Sequence, residues 1–569
     1  MKIKKSRMGD LLNNTFDLLN LNNELTDVIK SKKIFIMFQD FDIESGGVCA
    51  AVFKKSNYLV NKGYDVTFLN MDDIKDFDNI IEFNINSKLM SPKIEFINIF
   101  QFYCDLNSNG DLKTVDIDSL ISENVEKIIN TDQSITLNYY NNKTFEKLVK
   151  QEKYIDNCLI YKKVEESDKE EFFTKDGFLY LSIIAVGSRK EYCLNMRDAN
   201  SIKFKNVNGF LYNFLDEICS LDNKPFLMCE STLHWYHMHE LETDVYKIGV
   251  LHGNPFIVKG ELSNNVNKYI KHFKFIDNLD ALVLLTRQCC DDVEKDFNQK
   301  PIVVIPNYIL DDLINEDEIL EKNLNSIKVF TRIAPEKQLD HLIKAFKIVG
   351  EEYDNVILEI YGRALSKREI GAYNKLTDLV SNLGLQSKIF FRGHVEDVNS
   401  LMKETLFTVS CSKHEGLPFV ILESMSNGTP VICYDYKYGP RDLITDGVDG
   451  IIIEKDNIDL LAENMLNLLK NPQMAIEMGE KARYKIKTEF SETAVGKQWE
   501  ELLLSIYVKN ELQYKDKLLE DNLALVNENK KFKKENKNLK KFKSSILSSS
   551  SWRITKPLRK INALFKKIF

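Results

Sequence analysis

Leu406-Phe407-Thr408-Val409-Ser410-Cys411-Ser412-Lys413-His414-Glu415-Gly416-Leu417-Pro418-Phe419-Val420-Ile421-Leu422-Glu423 is the stretch that decides how this chain reads. An apolar run of strand character, Leu406 to Ser412, breaks at a polar turn, and a helix-forming run follows at once. Pro418 suits a first helical position, so the N–H groups of Gly416, Leu417 and their neighbours are left unpaired and aimed where a diphosphate would sit. Glu423 falls one to two turns inside the helix, within reach of a ribose on that diphosphate, while Glu415 stays in the loop beside the sugar end. Gly428 closes the helix. Upstream, a β-rich run from Ser326 to Thr331 leads into Arg332, and Pro335-Glu336-Lys337 opens an amphipathic helix with Leu339, Leu342, Ile343, Phe346 and Val349 on one face. Arg332 offers a fork for bidentate pairing with phosphate oxygens and Lys337 a mobile point charge.

Taken singly these features are ordinary. Glutamates eight apart usually belong to a solvated helix face, and cations near helix starts are usually just hydrated. The combination is what points to chemistry: Arg332-x4-Lys337 and Glu415-x7-Glu423 together resemble the donor site of retaining glycosyltransferases of the GT-B fold, glycosyltransferase family 4, over about residues 326–505. Within it, Tyr434-Asp435-Tyr436-Lys437-Tyr438-Gly439-Pro440-Arg441-Asp442 and Asp446-Gly447-Val448-Asp449-Gly450 look like the branch of the wall teichoic acid and poly(glycerol-phosphate) α-glycosyltransferases, which also takes in the glucosaminyltransferases of serine-rich adhesins.

The rest of the chain is read around that site. Ile34 to Phe38, Gly46-Gly47, Val48 to Val60 and Tyr64 to Asn70 form a βαβ opening. The glycine pair is a weak nucleotide signal, equally a plain turn, and in the resembled fold Gly47 faces the cleft. From about 84 to 205 the alternation breaks into short strands (Ile94 to Tyr103, Tyr154 to Lys163, Phe178 to Ala185, Glu191 to Met196). The α/β pattern then resumes, and Lys247 to Leu251 ends at His252, at the carboxyl edge of a parallel sheet, where ligands bind. The resemblance implies that His252 contacts the transferred sugar or assists the reaction. It likewise places His394, in Arg392-Gly393-His394-Val395, beside the nucleotide base.

The expected fold class is therefore α/β, GT-B: an N-terminal Rossmann-like acceptor domain (1–83 and 206–307), an inserted β-rich module with a possible role in oligomer formation (84–205), a C-terminal Rossmann-like donor domain (308–505) and a helical, basic tail (506–569). Phe490, Trp499 and Leu503 belong to a last helical stretch that, in this fold, crosses back onto the first domain.

Composition agrees. The 569 residues are 44% hydrophobic, enough for several cores. The 10 cysteines lack CxxC pairs and metal-ligand spacing, which suits a reducing cytosol. The start lacks a leader-like apolar core and no run of 18 apolar residues occurs, so a cytoplasmic location is expected, peripheral to the inner membrane face. Residues 530–569 hold 14 Lys or Arg against one acid, a net of +13, which leaves −21 on the rest of a chain whose total is −8. Within the tail Leu518, Leu525, Phe532, Leu539 and Ile546 recur every seven residues with Asn522, Asn529 and Asn536 at the partner positions, a weak coiled-coil seam or a lone solvated helix. Trp552 to Lys560, which resembles the Ser-Trp-Arg-x-Thr-x-Pro-Leu-Arg ends of bacterial polysaccharide glycosyltransferases, is followed by Ile561, Leu564, Phe565, Ile568 and Phe569 among lysines. Apolar side chains interleaved with cations over 552–569 favour an anionic membrane surface over nucleic acid or plain disorder.

The resemblance implies transfer of a hexose or N-acetylhexosamine from a UDP-sugar to an acceptor hydroxyl with retention. Arg332, Lys337 and the helix amides meet the charge on UDP, Glu423 holds the ribose, and Glu415 orients the sugar or stabilises the oxocarbenium-like centre. No metal is expected, since cations fill the phosphate role; Asp40-Phe41-Asp42 reads as a turn or cap. The expected acceptor is a teichoic-acid-type polyol-phosphate polymer, with Ser/Thr of a secreted adhesin or a lipid-linked glycan as alternatives. An acidic body asks for a local basic strip, for which Lys437 and Arg441 are candidates. A reading of another class, a non-catalytic glycosyltransferase-like subunit, sits poorly with the intact Arg/Lys and Glu/Glu pairs.

Overall fold

A computed structural model describes residues 23–38, 47–71, 77–130, 132–258, 261–262, 273, 275–297, 301–314, 321–395 and 397–548. Asp40, Phe41, Asp42 and Gly46 lie outside these residues, as does the whole of 552–569. The chain divides into two compact units, Met1–Leu504 and Ser505–Phe569.

The first unit contains two α/β halves. In the first half, β1 (Lys33–Met37), β2 (Asp65–Asn70), β3 (Glu95–Asn98), β12 (Phe226–Cys229), β13 (Tyr246–Leu251), β16 (Ala281–Leu284) and β17 (Ile302–Val304) make one seven-stranded sheet in the order β17-β16-β13-β12-β1-β2-β3. Every pairing in it is parallel. Strands buried on both faces read as continuous apolar runs, as Ile34-Phe35-Ile36-Met37 and Ala281-Leu282-Val283-Leu284 do. The helix Gly47–Asn61 follows β1. A two-strand hairpin, β14 (Ile257–Val258) and β15 (Glu261–Leu262), follows β13.

Between β3 and β12 an eight-stranded antiparallel meander is inserted: β4 (Val125–Ile129), β5 (Ile135–Tyr140), β6 (Leu148–Ile155), β7 (Cys158–Val164), β8 (Lys169–Phe173), β9 (Leu179–Val186), β10 (Arg189–Asn195) and β11 (Ser201–Phe204). Aromatic contacts fasten it to the first half, with Tyr192 stacked on Phe210 at 5.3 Å and Phe100 tilted against Phe172 at 5.0 Å. Two expectations are corrected here. Ile94 to Tyr103 is not a strand of the insertion: Glu95–Asn98 completes the parallel sheet, and the Asn98 side chain then caps the helix Ile99–Leu106. Tyr154 to Lys163 is two strands, broken at Asp156 and Asn157, both in the left-handed region with φ of 50° and 61°.

The second half repeats the architecture. β18 (Ser326–Phe330), β19 (Ile357–Tyr361) and β20 (Ile389–Gly393) form one parallel set; β21 (Thr408–Ser410), β22 (Val431–Tyr434) and β23 (Ile451–Ile453) form the other. β18 lies beside β21, where Thr408 Oγ1 donates to Lys328 O at 2.9 Å, so the strands run in the doubly wound order 20-19-18-21-22-23. The amphipathic helix begins at Leu339 rather than Pro335: Pro335–Lys337 is one 3-10 turn, and Gln338, at φ 47°, separates it from Leu339–Glu352. Leu339, Leu342, Ile343, Phe346 and Val349 are all buried on that helix.

After Phe490 the chain returns to the first half in the helix Glu492–Ser548. Val495, Trp499 and Leu503 are buried, Gly496 lies flat against the Tyr58 ring, and Tyr58 OH donates to Glu500 Oε1 at 2.7 Å. In the second unit the same helix is described to Ser548 and leaves Leu525, Phe532, Leu539 and Phe542 exposed by 56 to 65%.

Candidate active site

The carboxyl ends of the strands in both halves meet at one seam, and the Gly416 loop is where they touch. After β21 the chain runs through Cys411 to Pro418 into the helix Phe419–Ser426. Pro418 is the N-cap, one position earlier than expected, and among the described residues no acceptor meets the N–H groups of Gly416, Leu417 or Phe419. Leu417 is buried in the core of the second half, which fixes the loop from below. Gly416 lies against the first half: a Cβ there would sit 1.9 Å from His252 O. Gly47 faces the same helix, its notional Cβ 2.9 Å from Phe419 Cδ2. The glycine on each side is thus explained by close approach.

Lys337 and Glu415 come together. Lys337 Nζ donates to Glu415 Oε1 at 2.5 Å, both side chains under 20% exposed, and Ser412 Oγ donates to the same oxygen at 2.7 Å. Arg332, on the loop after β18, is turned elsewhere. It donates to Glu369 Oε1 at 2.6 Å and lies 3.6 Å from Glu336, with half its side chain exposed. Glu369 is itself fixed, because its Oε2 accepts from Leu365 N and Ser366 N in the capping box of the helix Lys367–Asn382. His394 follows β20 and is exposed on the same strand-end edge as Arg332.

Glu423 has a partner from the other half that the sequence did not suggest. Burial raises its carboxyl, and the neighbouring positive charge of Lys54 opposes that rise. Lys54, on the helix Gly47–Asn61, has its ammonium 4.9 Å from the Phe419 ring centroid. Burial lowers its pKa against the pull of Glu423, Glu492 and Asp312.

A second unforeseen group stands behind His252. Glu230, directly after β12, is completely buried; it accepts from Lys55 through Oε1 and from His252 Nε2 through Oε2 at 2.7 Å. Burial alone would raise the Glu230 carboxyl, but Lys55 and His252 outweigh it and hold it down at about 2. Lys55 also stacks on Trp499 at 4.5 Å. Ala51, Lys54, His252, Tyr308, Phe419 and Trp499 line a cavity at this seam. Lys54 and Lys55 sit in an unremarkable helix sequence and Glu230 follows an apolar strand, so only the parallel order β12-β1 and β12-β13 brings them together.

The basic strip expected at Lys437 and Arg441 is corrected. Lys437 Nζ donates to Asp292 Oδ2 at 2.6 Å, and Arg441 is held by Asp435 through two bonds of 2.8 and 2.6 Å. Both cations are spent on local carboxylates. Asp292 also accepts from Tyr438 OH at 2.8 Å, and Asn254 Nδ2 donates to Lys437 O at 3.1 Å, so this segment ties the two halves together instead.

Residues 312–485 match the family model described as Glycosyl transferases group 1. The chain carries a group 1 glycosyltransferase domain. It is similar, at 24% identity over 505 residues, to the poly(ribitol-phosphate) alpha-N-acetylglucosaminyltransferase of Staphylococcus aureus, covering 82% of this chain and 99% of that protein. Similarity to the poly(glycerol-phosphate) alpha-glucosyltransferase of Bacillus subtilis is 24% over 385 residues, 64% of this chain and 55% of that one. Among solved structures, a mutant of S. aureus TarM in complex with Fondaparinux, alpha-GlcNAc-glycerol and UDP aligns with a TM-score of 0.69 and 22% identity, over 83% of this chain and 99% of that one. The two facing α/β halves of this chain thus share the fold of that structure, GT-B.

Proposed function

We propose that this protein is a retaining glycosyltransferase that moves a hexose or N-acetylhexosamine from a UDP-sugar to a hydroxyl of a teichoic-acid-type polyol-phosphate polymer. The observation that carries the reading is the seam itself, where the Lys337 and Glu415 pair, the unpaired amides of Gly416 to Phe419 and the close-packed His252 and Gly47 are brought together. The half holding β18 to β23 takes the nucleotide and the half holding β1 to β3 the acceptor. The helix amides and Lys337 receive the diphosphate, Arg332 leaves Glu369 to join them, and Glu423 takes the ribose. His394 borders the base. When the bond from C1 to the diphosphate breaks, its electron pair leaves with UDP, and the acceptor oxygen bonds C1 on the same face as its hydroxyl proton passes to an oxygen of the departing diphosphate. Fixed cations and amides at the leaving group are worth several kcal/mol in a closed cleft, and they serve in place of a metal, so turnover persists in EDTA. Relatives named for poly(ribitol-phosphate) and poly(glycerol-phosphate) favour the polymer acceptor over a protein or a lipid-linked glycan.

The enzyme works at an anionic membrane face. On the helix described to Ser548, Phe532, Leu539 and Phe542 lie on one side, flanked by Lys531 and Lys543, and Lys530, Lys533, Lys534, Lys537, Lys540 and Lys541 lie on the other, apolar side chains among cations that suit a lipid interface. No described helix is long and apolar enough to cross a membrane. The crowding of lysines opposes pairing of this segment with a copy of itself, while exposed Val186 on β9 and Ile202 on β11, toward one edge of the meander, offer a surface for self-association. UDP release from UDP-glucose and UDP-N-acetylglucosamine, measured with teichoic polymer, adhesin peptide or buffer, tests the reading. Product with polymer alone supports it; product only with peptide, or none with any acceptor, overturns it.

A further inference from the structure

The buried group behind His252 has no role in the reaction as described so far, and its cost demands one. Two opposite charges and an imidazole are withdrawn from water at Lys55, Glu230 and His252, and replacing such a buried pair by apolar side chains is often neutral or stabilising. Stability alone does not account for it. Both oxygens of Glu230 are occupied, one by Lys55 and one by His252 Nε2. A carboxylate only accepts, so Nε2 carries a proton and the second ring nitrogen, Nδ1, is the one left for another partner. Nδ1 is buried and has no partner among the described residues. The His252 carbonyl, on the same residue, is pressed against Gly416 at the seam.

Resting on the transfer reading above, we infer that Lys55 and Glu230 are positioning residues that act through His252: they fix its ring as the Nε2–H tautomer so that Nδ1 accepts a hydrogen bond from a hydroxyl of the bound sugar. Lys55 has the further task of balancing charge. With Lys55 present, its ammonium sits directly on the Glu230 carboxylate and offsets that charge. With its ammonium removed, the buried carboxylate has only the imidazole left to neutralise it, His252 takes a second proton, and Nδ1 changes from acceptor to donor. The other charged or titratable groups around the ring do not substitute: Lys54 is opposed by Glu423, Glu415 is held by Lys337, and Tyr308 is pushed far above its ordinary value by burial.

The test uses the full-length enzyme with UDP release as readout, alongside UDP affinity by calorimetry and melting temperature. Lys55→Met should lower kcat about tenfold at pH 7, with activity recovered as pH rises and the acid limb of the kcat profile displaced upward by a unit or more, while UDP affinity changes less than twofold. Lys55→Met combined with Glu230→Leu removes both charges and keeps the volume. It should melt within a few degrees of the parent, bind UDP normally, lose the displaced acid limb and still turn over about tenfold slower, because nothing orients the ring. A double variant with parental kcat, or a Lys55→Met profile with no displacement, overturns the inference. Failure of the parent enzyme itself to release UDP with any acceptor refutes the transfer reading instead, and the two failures are distinct.

Discussion

Replacing Gly416 by Ala tests the geometry of the seam with one methyl group. The new Cβ would lie 1.9 Å from His252 O and 3.0 Å from its carbon, and real Cβ contacts essentially never fall under 3.0 Å, so the two halves must part by about 1 Å. The atom met is backbone at the end of β13, which cannot swing aside as a side chain does. Overpacking of this kind costs on the order of 1–3 kcal/mol. A displacement of about 1 Å between groups that must act together costs roughly 100-fold in rate. Gly416→Ala should therefore show kcat about 100-fold down in a UDP-release assay and a melting temperature a few degrees lower. Two glycines calibrate the result. At Gly253, one residue past the contact, nothing lies within 4 Å of a notional Cβ, and Gly253→Ala should retain kcat within about twofold. At Gly47 the obstruction is the edge of the Phe419 ring, which can turn, so Gly47→Ala should fall between the two. Equal kcat for Gly416→Ala and Gly253→Ala would refute the close approach of the halves at His252.

Lys337→Ala should reduce kcat by about 100- to 1,000-fold, since it removes a cation from the leaving group and leaves Glu415 with Ser412 as its remaining side-chain partner; a stopped assay of UDP release checks it. Glu369→Ala should lower stability by about 1 kcal/mol through the lost capping box, read as a shift of the urea midpoint, and lower KM for the donor because Arg332 no longer has to leave this carboxylate to reach the diphosphate. Asp292 carries a pH signature. Burial pulls its carboxyl up, but hydrogen bonds from Lys295, Lys437 and Tyr438 prevail and hold it at about 2, below the ordinary aspartate value, so its stabilisation is complete above about pH 4 and is lost as pH falls toward 2. Asp292→Asn should lower the melting temperature at pH 7 and flatten its decline between pH 4 and pH 2.

Where the signal is local, the sequence disclosed the structure. Continuous apolar runs marked parallel strands such as Ile34 to Phe38 and Leu406 to Ser412, and the Gly-Leu-Pro helix start announced the loop proposed for the diphosphate. What stayed hidden depends on chain segments far apart. Glu95–Asn98 looks like any short strand, and only its pairing with β2 assigns it to the parallel sheet. Lys437 reads as a solvent-facing cation until the fold delivers Asp292 to it. Lys54, Lys55 and Glu230 carry no motif at all. A helix with two lysines and a strand ending in glutamate are commonplace, and their meaning arises from strand order, which puts β12 between β1 and β13 and thus Glu230 between Lys55 and His252. Arg332 shows the converse: the spacing marked it correctly as a candidate, but not that an acid from another helix holds it.

The central claim is that the Gly416 loop, Lys337, Arg332 and Glu423 form one pocket for a uridine diphosphate. A crystal structure of the UDP complex tests it most directly. The account expects the diphosphate against the amides of Gly416 to Phe419 with Lys337 and Arg332 on its oxygens and the ribose on Glu423. A diphosphate bound elsewhere, with Arg332 still on Glu369 and Lys337 still on Glu415, would contradict it.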